Sequence, residues 1–269
     1  MKAIDVHVHL GIGPDMMANV EDIVATYRRN DVLAMPIAWD EESRTGRAPL
    51  LNETVANYVK QYPDVFVAGW GCIDPWRGRA AVRDAERAIK ELGLIGLKFQ
   101  QAAQEFYAND RRFYPLWETL SALKAPALFH MGTTGYGAGR PGGAGVHLKY
   151  TRPIPYLDDV AADFPELTII GAHPAWPWQD EMIAIVVHKT NVCIDLSGWS
   201  PKYFPESLKR EINGRLQDRV MFGSDHPFVP LERWLNDFER EGYKPEVVEK
   251  VLYKNAQRIL QVAAPAGGS

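Results

Sequence analysis

Ile169-Ile170-Gly171-Ala172-His173-Pro174 is an apolar run that closes on a single imidazole. Leu128-Phe129-His130-Met131-Gly132 repeats the arrangement, and Phe222-Gly223-Ser224-Asp225-His226-Pro227 repeats it with a carboxylate. Short, nearly continuous apolar runs bounded by turn residues read as strands covered on both faces. Eight of them can be counted, at residues 4–9, 32–38, 65–73, 94–100, 127–131, 167–173, 192–197 and 220–224. Helical patterns lie between them. Asn19 can cap a helix that places Val20, Ile23, Val24 and Tyr27 on one face. Val82, Ala85, Ile89 and Leu92 recur at helical spacing, with Gly93 as the residue that ends the helix. Asp110 can cap a further helix carrying Phe113, Leu116, Trp117, Leu120 and Leu123. Such alternation builds a parallel sheet, either doubly wound and open or closed into a barrel. The polar residues choose between them. His9, Asp74, Gln100, His130, His173, Ser197 and Asp225 all fall at C-terminal strand ends, on seven of the eight runs. A barrel brings that many strand ends to one rim, and an open sheet does not. The expectation is a single-domain α/β protein, a (β/α)8 TIM barrel over residues 1–262, followed by a small-residue tail at 263–269. The length of 269 residues agrees with the ~250 typical of this architecture.

Composition narrows the class of partner. A net charge of −4, without any dense Lys/Arg run, argues against nucleic acid and against an anionic membrane surface. No stretch reaches the ~18 apolar residues needed to span a bilayer, and no apolar leader precedes the first strand. A cytoplasmic location and a small-molecule substrate are expected. Cys72 and Cys193 both sit in apolar runs, which reads as two buried thiols rather than a disulfide framework. The insert at 132–152 carries seven glycines and follows the fifth strand. Its place on the active-site rim favours a substrate loop or lid over a linker.

The chemistry begins at His7-Val8-His9. Residues i and i+2 of a strand share a face, so both imidazoles enter the barrel together. Alone, the pair fits a metal site and a hydrogen-bonded histidine core equally well. His130, His173 and Asp225, each at the mouth of an apolar strand, tip the reading towards a metal. Three histidines and one carboxylate with room for water suit a catalytic zinc-like centre.

These motifs resemble the amidohydrolase superfamily, in particular its amidohydrolase-related (amidohydrolase 2) branch. The resemblance is carried by Asp5-Val6-His7-Val8-His9, Gly96-Leu97-Lys98-Phe99, His130-Met131-Gly132, Gly171-Ala172-His173 and Gly223-Ser224-Asp225-His226-Pro227. It implies one divalent ion, zinc first and manganese second, held by His7, His9, His130 and Asp225. It also implies His173 beside the metal as acid or base, and an assembly of two or more copies. Lys98 occupies the strand-four position where binuclear members carry a bridging carboxylated lysine. In this branch one metal is the common case, and a lysine at position 98 can then bind a substrate anion. Trp176 and Trp199 can supply an aromatic wall, and Arg152 can meet a carboxylate. Packing and surface solubility explain the same residues equally well.

The first expectation is a hydrolase. Metal-bound water loses a proton to Asp225 and attacks a carbonyl, while His173 polarises it or protonates the leaving group. The carbonyl would belong to an aromatic or ring-cleavage-derived acid or CoA ester. The alternative is a lyase, a nonoxidative decarboxylase or hydratase of an aromatic or unsaturated acid. A non-enzymatic metal-binding barrel would leave the converging polar residues idle.

Overall fold

The computed structural model describes residues 2–10, 19–39 and 50–262. Within them eight parallel strands follow one another around a single sheet in sequence order. They are β1 (Ala3–His9), β2 (Val32–Ile37), β3 (Trp70–Cys72), β4 (Gly96–Phe99), β5 (Ala127–His130), β6 (Ile169–Ala172), β7 (Val192–Asp195) and β8 (Val220–Met221). The last strand closes onto the first through main-chain bonds. Val6 N donates to Phe222 O at 3.0 Å, Asp225 N to His7 O at 2.9 Å and His9 N to His226 O at 2.8 Å. The expected barrel is therefore present. The tail at 263–269 lies outside the described residues.

Strand limits differ from the expectation mainly at the third. Residues 65–73 read as one run, yet only 70–72 form a strand, preceded by an isolated bridge between Phe66 and Ala34. Helix starts follow their caps. Asn19 accepts from Glu21 N at 3.2 Å and opens α1 (Val20–Asn30), whose Val20, Ile23, Val24 and Tyr27 are buried. Asp110 accepts from Arg112 N at 3.0 Å and opens the turn that leads into α2 (Tyr114–Ala122).

Side chains alternate between two cores. Outward-facing Ala3, Ala34, Phe129, Ile169, Ile194 and Phe222 pack under the helices with Tyr27, Trp117, Met182 and Trp234. Inward-facing Ile4, Val6, Met35, Leu128, Ile170 and Met221 fill the lower barrel, and Ala256, Leu260 and Val262 pack with them. Burying each large aliphatic is worth roughly 1.5–3 kcal/mol, so the lower barrel is a solid plug. Cys72 and Cys193 are buried and form no disulfide. No helix among the described residues is long and apolar enough to cross a membrane.

One irregularity positions the site. Between Asp5 and Val8, β1 advances three residues while β2, from Ala34 to Pro36, advances two. Strict alternation would put Ile4 and Val6 on one face and His7 and His9 on the other. The extra residue resets the parity, so Val6 joins the inner plug and His7 and His9 also line the barrel mouth.

Candidate metal centre and active site

A cavity of about 200 Å³ opens at the C-terminal strand ends. His7 and His9 from β1, Lys98 from β4, His130 from β5, His173 after β6 and Asp225 after β8 all line it. Asp225 Oδ1 lies 3.3 Å from His7 Nε2 and 3.0 Å from His9 Nε2. These three side chains offer ligand atoms within 4.8 Å of one another, all buried. His130, the fourth expected ligand, is outside that tight group. It meets the cluster through His173, whose Nε2 is 3.1 Å from His130 Nδ1.

The hydrogen-bond network assigns the protons. His7 Nδ1 donates to Asp195 Oδ2 at 2.6 Å, which leaves a lone pair on His7 Nε2. That buried nitrogen has no hydrogen-bond partner and faces the Asp225 carboxylate. Two electron-rich atoms opposed in a buried site are the arrangement that a cation resolves. His130 Nε2 donates to Thr133 O at 3.0 Å, so its Nδ1 is also a lone pair. Ser197 Oγ donates to His173 Nδ1 at 2.9 Å, which places the His173 proton on Nε2, directed at His130. The donor set therefore fits one divalent ion, with His7, His9, His130 and Asp225 able to hold it. His173 instead turns its N–H, on Nε2, towards the cluster.

Burial dominates the electrostatics. It lowers the proton affinity of His173 to about 4, with Asp225 opposing and His7 and Lys98 adding to the effect. His130 is pushed well below its ordinary range by burial, then by His173 and Lys98. His7 is lowered by burial and Lys98. Burial raises the Asp225 carboxyl, but the His9 hydrogen bond and the neighbouring His7 and His173 rings outweigh it and hold it well below the usual range. His7 and His130 are thus neutral and available as ligands at neutral pH.

Backbone strain marks the same residues. His173 and Asp225 have φ of +75° and +67°, a region that costs ordinary residues free energy and is kept where the surroundings enforce it. Gly198 allows the His173 ring to approach. A Cβ there would lie 2.6 Å from His173 Nδ1, and its φ is +77°.

Asp195 was not anticipated. It is fully buried, orients His7, accepts from Ser197 N at 2.8 Å and through its carbonyl accepts from His173 N at 2.9 Å. A carboxylate inside the run Val192-Cys193-Ile194-Asp195-Leu196 was the available signal. Asp5 was likewise missed as a brace. It accepts from Ser224 N and Tyr27 Oη at 2.9 and 2.7 Å, and burial raises its carboxyl to about 7.

Other expected residues divide. Gln100 lines the cavity and donates to Thr134 Oγ1 at 3.1 Å. Ser197 braces His173 from behind. Asp74 faces other work and caps a turn by accepting from Trp76 N at 3.0 Å. Trp176 and Trp199 do not line the cavity. Their rings meet at 5.9 Å on the rim, with Trp176 49 % exposed and Trp199 packed on the outer core. Arg152 also stays outside, where it forms a forked pair with Glu181 at 2.6 and 3.0 Å. The aromatic wall comes instead from Trp39 and Phe228, edge-on to His9 at ring distances of 5.6 and 6.0 Å. In the glycine-rich insert, Thr134, Gly135 and Tyr136 line the cavity. Gly137 then turns the chain back with φ +77°, where a Cβ would lie 2.1 Å from Gly143 O.

The amidohydrolase family model (Amidohydro_2) matches residues 4–262. The chain belongs to this family. Two curated relatives of this amidohydrolase are Decarboxylase orsB of Emericella nidulans and gamma-resorcylate decarboxylase of Polaromonas sp., each 23 % identical. The first alignment covers 68 % of this chain and 66 % of the relative, and the second 78 % and 75 %. The chain thus spans about two thirds to three quarters of those relatives' lengths. Among solved structures, an uncharacterised TIM-barrel protein of Bordetella bronchiseptica superimposes with a TM-score of 0.81 at 22 % identity, covering 97 % of this chain and 99 % of its own. 5-Carboxyvanillate decarboxylase LigW of Sphingomonas paucimobilis gives 0.72 at 19 %, covering 97 % and 99 %. A dihydroxybenzoic acid decarboxylase of Polaromonas sp., with bound manganese and 2-nitroresorcinol, gives 0.68 at 17 %, covering 96 % of each. These structures share the fold of this amidohydrolase.

Proposed function

We propose that this amidohydrolase is a metal-dependent, nonoxidative decarboxylase of a hydroxylated aromatic carboxylic acid. The hydrolase expectation gives way to its lyase alternative. The similarity to two curated decarboxylases across most of the chain carries the reading. The cavity agrees with it. Its volume of about 200 Å³ suits one substituted ring, and Trp39 and Phe228 offer apolar edges for that ring.

A divalent ion held by His7, His9, His130 and Asp225 would supply a Lewis acid for substrate oxygens. Zinc and manganese both suit this ligand set, and a neighbour in the fold holds manganese. The chain's own residues orient the ring and handle one proton. The bond between ring carbon and carboxylate breaks, its electron pair stays on the ring carbon and takes a proton, and carbon dioxide leaves. His173 and Asp225 flank the cavity and handle that proton, His173 through Nε2. An anionic substrate in the cavity raises the proton affinity of His173 above its value in the free site.

The test is incubation of the manganese- or zinc-loaded protein with a panel of hydroxybenzoates in deuterated water. Carbon dioxide release with one deuterium on the ring of each product is expected. Hydrolysis of an ester or lactone panel with no carbon dioxide from any acid would overturn the proposal.

A further inference from the structure

Lys98 is assigned no part in the chemistry above, yet its placement is unusual. It is 3 % exposed and stands on β4 opposite Cys72 on one side and Leu128 on the other. Leu128 belongs to the inner plug and lies two residues before His130, so Lys98 rises from the floor of the cavity. Among the described lining residues, Lys98 is the cation and Asp225 the anion of the site.

An ammonium lining a cavity has three N–H donors, and an anionic group is the strongest acceptor a ligand can offer to one of them. Decarboxylation decides which anion. The departing carboxylate loses its charge as carbon dioxide forms, so a cation fixed on it stabilises the starting acid more than the transition state and slows departure. A group that keeps its charge through the reaction carries no such penalty. A phenol keeps its proton near neutral pH, since its ordinary pKa is about 10, whereas a carboxylate is already ionised.

We infer that Lys98 is a specificity-determining residue that holds a second carboxylate, retained on the product, so that the preferred substrate is an aromatic diacid. The choice of the retained group rests on the decarboxylase reading. Turnover is not needed to test it.

Binding of benzoate, 3-hydroxybenzoate and isophthalate is measured by calorimetry on the metal-free and manganese-loaded protein, for the parent chain and for Lys98→Met and Lys98→Gln. The parent is expected to prefer isophthalate over both monoacids by about tenfold or more, in both metal states. In either variant that preference shrinks to near unity while benzoate binding changes little. Thermal unfolding of each variant checks that it is folded, and two variants of different polarity guard against one failing. Equal loss of all three ligands would mean that Lys98 holds the carboxylate common to them, and would overturn the inference. So would a parent without preference, a preference for 3-hydroxybenzoate, or a preference that survives both substitutions. Diacid selectivity without carbon dioxide release would sink the reaction assignment and leave the Lys98 subsite standing. Carbon dioxide release without diacid selectivity would do the reverse.

Discussion

The two ends of the barrel interior are built from the same eight strands and obey different rules. At the N-terminal end Ile4, Val6, Met35, Leu128, Ile170 and Met221 interlock without a charged group and pack with Ala256, Leu260 and Val262. At the C-terminal end, two to four residues further along the same strands, four imidazoles, an ammonium and a carboxylate share a cavity. His173 and Asp225 there are held at positive φ. The lower end stores stability and the upper end spends some of it. The strained backbone and buried polar groups of the rim persist because the plug beneath is rigid. Damage at one end is therefore expected to separate cleanly from damage at the other.

The largest separation is expected at Asp225 and His173. Asp225→Asn should abolish metal retention and turnover together, as read by metal analysis and carbon dioxide release. His173→Asn should retain the metal and lose about 10²- to 10⁴-fold in kcat, the usual contribution of a positioned proton carrier. Metal lost in proportion to activity would make His173 a ligand and break the assignment of its proton. Next comes Asp195→Asn. Because it removes the acceptor that orients His7, metal affinity should fall about 10- to 100-fold while the fold persists. A chelator titration followed by activity measures this.

The lower end should respond in the opposite sense. Leu128→Ala is expected to cost about 2–5 kcal/mol of unfolding free energy in denaturant titration, with kcat of the folded protein within a factor of two or so. A large loss of kcat with little loss of stability would show that the plug and the site are coupled. The smallest effect concerns Cys193. Burial raises its thiol to about 11, so it carries little thiolate at pH 8 and should resist alkylation by iodoacetamide until the chain unfolds.

Much of the site was legible because single polar residues ended apolar strands. His9, Gln100, His130, His173 and Asp225 were marked by that contrast and all reach the cavity. Of the two readings open for Trp176 and Trp199, an aromatic wall or packing, the cavity lining favours packing for a physical reason. Trp176 and Trp199 lie close to strand ends in sequence, but their chain segments turn outward over the rim. Trp39 and Phe228 carry no pattern that distinguishes them from core aromatics. Arg152 looked like an anion receptor until Glu181, 29 residues away, was found paired to it.

By itself, the order of residues determined the barrel, the strand on which each candidate ligand sits and the end of that strand. Hydrophobic period and the cost of burying an isolated polar group are local properties, and they suffice for that. Tertiary structure decided which way each side chain faces and what holds it there. The extra residue in β1 turns His7 inward beside Val6, and Asp195, 188 positions away, sets which of its nitrogens is left for a metal. Parity across a strand pair and the donor–acceptor choice of an imidazole depend on neighbours remote in the chain, so only the folded molecule expresses them.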